Sequence, residues 1–251
     1  KFWDREVLLG VGFVSSMRLI SRTGSRAMPL CLTRPEPALK HQLATPPHSL
    51  FNLSTMVQNY CGGAVISPTT ILTAGHCADG DWIEYVSIGS HYLSGSKDGE
   101  RIKVKKIVHH PKFDMDTMVY DFAILELANA TTVTPIEVLF DEKDAAGAPG
   151  VLGMARGWGT TSSGGTQSNP GLTPVDVTMI CAGGVKGEDT CQGDSGGPLT
   201  VTKNGKDVLV GLTSWGLGCA EAGLPGVYAR LSYAKDFIEP YLPKPAFGGP
   251  S

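Results

Sequence analysis

A serine stands between an acid and two glycines in Gly193-Asp194-Ser195-Gly196-Gly197-Pro198, with Cys191 just upstream and Ser214-Trp215-Gly216 downstream. Glycine has no Cβ, so this backbone can turn tightly and bring its N–H groups against a substrate carbonyl, as an oxyanion hole requires. A serine nucleophile also needs a base. Thr73-Ala74-Gly75-His76-Cys77 offers a histidine after the apolar run Ala64-Val65-Ile66 and the turn Ser67-Pro68. Tyr120-Asp121-Phe122-Ala123-Ile124-Leu125 places a carboxylate at the head of an apolar strand. A buried charge there is costly unless paired, and an imidazole N–H is the obvious partner. Taken singly, each residue has an ordinary structural reading, since lone histidines are usually structural and short motifs arise by chance. Together they describe a nucleophile, a base and an orienting acid for acyl transfer.

These motifs resemble the chymotrypsin-like serine proteases of the trypsin subgroup, whose chain order is histidine, aspartate, serine. The resemblance runs from Asn59 to Tyr241. It implies His76, Asp121 and Ser195 as a catalytic triad, with the backbone N–H groups of Gly193 and Ser195 as the oxyanion hole. Asp189 would form the floor of a specificity pocket, with Thr190 beside it and Gln192 at the rim. Ser214 would hydrogen-bond near Asp121, and the Trp215-Gly216 backbone would pair with an extended substrate. Gly216 and Gly226 would keep the pocket open to a long basic side chain, so the resemblance implies cleavage after Arg or Lys. Against this stands a plainer reading, in which Asp189, next to Glu188, is a polar loop residue. The family pattern also pairs Cys61 with Cys77 and Cys191 with Cys219. Cys31 and Cys181 remain unassigned.

Two departures from the family pattern matter. Relatives are cut before an Ile-Val-Gly-Gly type sequence, and the new α-ammonium pairs with the aspartate that matches Asp194; no such sequence occurs here, and the corresponding region reads Arg34-Pro35-Glu36-Pro37. Uncompensated burial of Asp194 would cost roughly 3–5 kcal/mol, so the expectation is that it turns to solvent and leaves the oxyanion hole and pocket mostly unformed. In addition, the stretch from Asp121 to Ser195 is shortened, with the loss between Pro174-Val175-Asp176-Val177 and Thr178-Met179-Ile180-Cys181. This predicts an orphaned Cys181 and an uncovered edge in the second barrel.

The positioning elements read as all-β: two six-stranded-type antiparallel β-barrels, the second incomplete, and a short C-terminal helix. Glycine is abundant at 32 copies and charged residues are sparse at 18%, which suits many turns and strands. The first barrel is expected over 59–130, through runs such as Thr70-Ile71-Leu72-Thr73 and Trp82 to Ile88. The second is expected over 145–232, the helix over 233–239 and a tail over 242–251. Residues 1–58 carry Pro29, Pro35, Pro37, Pro46 and Pro47 and are expected to form an irregular leader. Within it, Val7 to Val14 is a weak secretory signal core, because Asp4 and Glu6 stand where basic residues belong. Arg101-Ile102-Lys103-Val104-Lys105-Lys106 reads as a strand with one solvated face rather than an anion-binding exosite.

Six cysteines at spacings foreign to zinc sites suggest an oxidising compartment, and secretion is the expected address. The sequons Asn52-Leu53-Ser54 and Asn129-Ala130-Thr131 would matter there. No cofactor or metal is expected; Ser90 stands where relatives carry the first carboxylate of a calcium loop. A net charge of −3 gives no general attraction to nucleic acid or anionic membrane, and no run is long enough to span a bilayer. The expected chain is a monomer whose partners are protein or peptide substrates with Arg or Lys at the cleaved bond, and protein protease inhibitors. A rival expectation, from another class, is a homologue locked in a zymogen-like state that binds partners through its surface.

Overall fold

Two strands come from the segment expected to be irregular: β1 (Trp3–Gly10) and β2 (Leu50–Thr55). The prolines that argued against strands all lie between them, so neither stretch lacks a ladder donor. The structure, a computed structural model, describes residues 3–10, 50–55, 58–90, 98–159, 175–184, 186 and 189–244. Cys31, and residues 11–14 of the Val7 to Val14 run, lie outside the described residues, while Val7 to Gly10 belongs to β1.

The first barrel joins β2 to β3 (Gln58–Ser67), β4 (Thr70–Thr73), β5 (Tyr85–Ile88), β6 (Glu100–His109) and β7 (Ala123–Leu127). It closes in the order β2-β3-β4-β7-β6-β5. Alternation decides which way each side chain points. In β6, Ile102 and Val104 are buried while Arg101, Lys103 and Lys105 are exposed, so the basic stretch is a strand with one wet face. The barrel interior is filled by Val65, Ile71, Val86, Ile88 and Leu125, none more than marginally exposed.

β8 (Glu137–Val138) leads into the second barrel, built from β9 (Leu152–Gly157), β10 (Met179–Gly183), β11 (Pro198–Lys203), β12 (Lys206–Trp215) and β13 (Pro225–Arg230). The strand order is β11-β9-β1-β10-β13-β12-β8, and β11 also pairs with β12, which closes a ring of six around which β8 lies outside. Asn204-Gly205 makes the β11–β12 turn with φ of 51° and 74°, the mirror-image turn that suits a twisted hairpin. The two-barrel architecture is as expected. The uncovered edge is not: β1 lies between β9 and β10 and pairs with both. Cys181 in β10 is likewise not orphaned, since it is disulfide-bonded.

The barrels meet along a shared apolar seam. Ala64, Ile66, Leu72, Phe122 and Ile124 from the first pack with Leu209, Leu212 and Ala229 from the second. Leu231, Ala234 and Ile238 from the chain's end seal this seam. That end is a run of helical turns, Leu231–Ala234, then α1 (Lys235–Ile238), then Glu239–Tyr241. Both catalytic candidates of the first barrel emerge at the seam, His76 after β4 and Asp121 before β7.

Candidate active site

His76 is held by two bonds to one carboxylate. Its backbone N–H donates to Asp121 Oδ1 at 2.9 Å, and its Nδ1–H donates to Asp121 Oδ2 at 2.8 Å. That leaves Nε2 as the acceptor end of the ring. The turn carrying His76 is tied down by the Cys61–Cys77 disulfide and by Tyr60, whose hydroxyl donates to Cys77 O at 3.2 Å. Gly75 has no side chain because a Cβ there would lie 3.0 Å from the Phe113 ring. Asp121 follows Tyr120, a non-glycine residue at φ 49°, and is fully buried. It also accepts the Ser214 hydroxyl at 2.5 Å. Burial pushes the Asp121 carboxyl up, but the His76 charge and these hydrogen bonds outweigh it and hold the group below its ordinary range. Burial pulls the His76 imidazole down, and the Asp121 charge and hydrogen bond outweigh that and raise it.

Ser195 arrives from the second barrel on a loop stitched to the first. Gly62 N–H donates to Ser195 O at 2.7 Å, and Gly196 N–H donates to Thr213 O at 2.7 Å. Gly196, at φ 73°, lies so close to Thr73, Gly62 and Ala74 that a Cβ would collide with the Thr73 hydroxyl. The candidate nucleophile is therefore seated beside the strand end that carries His76. Ser195 Oγ makes no hydrogen bond to His76 Nε2 among the described contacts, and such bonds are often long before substrate arrives; Nε2 lies 3.7 Å from Cys77 Sγ, a disulfide sulfur with no proton to donate. The N–H groups of Gly193, at φ 97°, and of Ser195 donate to no other described group, which leaves them available to an oxyanion.

Asp194 overturns an expectation. It is fully buried rather than turned to solvent. Its Oδ1 accepts Gly159 N–H at 2.7 Å and its Oδ2 accepts Cys191 N–H at 2.8 Å. Backbone N–H groups thus reach both oxygens of a carboxylate that the sequence argument turned to solvent. Gly157 and Gly159 pass close enough that a Cβ on either would strike this carboxylate. Two glycines flanking Trp158 are the sequence signal that a buried group lies against this backbone.

Asp189 is buried at 3% exposure, and accepts the N–H groups of Thr190 at 2.8 Å and Ala220 at 3.2 Å. A Cβ on Gly226 would stand 2.7 Å from Asp189 Oδ1, and one on Gly216 would stand 3.8 Å from Gly226 Cα. The two glycines thus face each other on the way to the carboxylate. Thr190 Oγ1 lies 3.3 Å from the hydroxyl of buried Tyr228, whose phenol is pushed up by burial and by the Asp189 charge. The Cys191–Cys219 disulfide closes this wall, with Gln192 Oε1 lying 2.9 Å from Cys191 Sγ. Trp215 packs against the buried cluster of Met179, Cys181 and Val227. Ser90 donates to Asp98 Oδ1 at 2.8 Å in the loop where a calcium site was judged incomplete. Cys61, His76 and Cys77 cluster as a metal site would, but both sulfurs are spent in the disulfide.

Among the described residues no helix is long and apolar enough to cross a membrane. Comparison with known proteins adds the family. The family model described as Trypsin matches residues 41–238. Trypsin 5G1 of Aedes aegypti is 40% identical over 205 residues, covering 72% of this chain and 74% of its own. Trypsin-1 of Astacus astacus is 35% identical over 211 residues, covering 72% and 87%. Glucanase inhibitor protein 2 of Phytophthora infestans is 38% identical over 200 residues, covering 71% and 77%. With its two barrels, its disulfides and these relatives, this chain belongs to the trypsin family of chymotrypsin-like serine proteases.

Proposed function

We propose that this chain is a secreted serine endopeptidase that cleaves peptide bonds after Arg or Lys through an acyl-enzyme. The observation that carries the reading is the buried Asp121 that fixes Nδ1–H of His76 and leaves Nε2 free to act as a base. Ser195 Oγ attacks the substrate carbonyl carbon while its proton passes to His76 Nε2. The carbonyl oxygen becomes an oxyanion and takes the N–H groups of Gly193 and Ser195, each worth about 3 kcal/mol of barrier. The imidazolium is stabilised by Asp121 and returns the proton to the leaving amine as the peptide bond breaks. Water then repeats the sequence on the ester and releases the acid. The buried Asp189 carboxylate, with Gly226 lying against it and Gly216 beside Gly226, supports the preference for a cationic side chain.

The test is hydrolysis of peptide substrates that differ only in the residue before the cleaved bond. The expected result is turnover of Arg and Lys substrates over their neutral counterparts, with Asp189→Ser abolishing the preference by about a thousandfold, as an unpaired buried cation costs several kcal/mol. Unchanged preference in that variant would overturn the pocket reading. A second reading, a binding protein without turnover, is favoured by the glucanase inhibitor proteins among the relatives and by the missing activation sequence. On that reading the chain would bind a glucanase, and a pure glucanase would lose activity on mixing with a chain whose Ser195→Ala variant inhibits equally well.

A further inference from the structure

Between Gly157 at the end of β9 and Met179 at the start of β10, the described residues hold no strand. β1 fills that space. It runs antiparallel to β9 from Trp3 opposite Gly157 to Leu8 opposite Leu152, and antiparallel to β10 with Leu9 opposite Ala182 and Gly10 opposite Cys181. These residues lie outside the stretch 41–238 that matches the family. Without β1, β9 and β10 would face each other with unpaired rows of N–H and C=O groups, the kind of edge that accepts an added strand.

One of the two strands that β1 bridges leads to Asp194. Gly159 follows β9 and donates to one carboxylate oxygen at 2.7 Å, while the other oxygen accepts Cys191 N–H at 2.8 Å from three residues away in the same loop. Gly157, the partner of Trp3, lies directly against the same carboxylate. A hydrogen bond weakens steeply beyond a few tenths of an ångström, so Gly159 reaches the carboxylate only while the end of β9 keeps its place against the Ser195 loop. We propose that residues 3–10 act in cis as a donor strand whose docking between β9 and β10 closes the second barrel and holds the end of β9 where Gly159 donates to Asp194. Order in the Ser195 loop then depends on a segment far from it in sequence. This differs from activation by a freed terminus, because the element that docks is a paired strand. It also holds whether or not the chain turns over a substrate.

Two full-chain variants test the proposal. Glu6→Cys with Met154→Cys places two thiols at directly opposed positions, within disulfide reach when β1 is docked. Mild oxidation is expected to link residues 6 and 154 within one chain, read by peptide mass mapping; a link between two chains, or no link, overturns docking in cis. Val7→Pro removes a donor and breaks the strand in its middle. Hydrogen exchange is expected to quicken roughly tenfold over residues 152–159 and 179–183, the equivalent of a lost ladder hydrogen bond, while β4 and β7 keep their protection. A synthetic peptide of residues 1–12 added to this variant is expected to restore slow exchange at both segments. Unaltered exchange there, loss of protection in both barrels, or failure of the peptide to restore it overturns the proposal.

Discussion

The carboxylate of Asp121 does two jobs at once, fixing the tautomer of His76 and raising its affinity for a proton. A base must be neutral to act, so acylation is expected to rise with pH through an inflection above the ordinary histidine value near 6.5. Asp121→Asn keeps the shape but reverses the hydrogen-bond roles. Its rate is expected to fall about ten-thousandfold, the loss known for a miswired tautomer in this family, and its inflection should move down, because burial alone lowers an imidazole. A pH–rate profile of both proteins reads these together; an unmoved inflection would separate Asp121 from the base. At this scale the sequence was informative because His76, Asp121 and Ser195 sit in motifs whose neighbours are equally constrained. It was uninformative at Asp194, since the two donors described there are backbone N–H groups, which every residue but proline carries.

Among the elements, the chain's helical end is anchored by a histidine that takes no part in the triad. His110 stacks on Tyr120 at 4.5 Å and meets Phe237 edge-on at 4.8 Å. Burial, aided by the Lys112 charge, pushes its imidazole down to about 4. The unfolded chain therefore binds a proton at His110 before the folded protein does, so this contribution to stability is whole above pH 6.5 and is lost as the pH falls from there to about 4. Thermal unfolding across that window should show His110→Gln with a flatter acid slope than the parent, by up to about 3 kcal/mol. Parallel slopes would show that His110 titrates alike in both states. The Cys61–Cys77 bridge is expected to contribute about 3 kcal/mol, so replacing both with Ala should lower the melting temperature and loosen the His76 turn. Most strands were legible from alternation, as in β6. β1 was not, because prolines elsewhere in the same segment coloured the reading of a stretch that contains none, and because pairing with β9 and β10 is a long-range fact.

For the molecule as a whole, the seam between barrels carries the proposed base on the first barrel and the proposed nucleophile on the loop stitched to it from the second. Phe122 is fully buried there beside Asp121, among residues from both barrels. Phe122→Ala is expected to cost about 3–5 kcal/mol and to reduce activity in the surviving folded fraction, since it loosens the backbone that aims Asp121; calorimetry with a titrated active-site count separates the two effects. The most direct test of the central claim, that His76 activates Ser195 across this seam, is labelling with a fluorophosphonate followed by mass mapping. The folded chain is expected to carry the label on Ser195 alone, with His76→Ala slowed by a thousandfold or more. A folded parent that takes no label, or a His76→Ala variant that labels as fast as the parent, would contradict it.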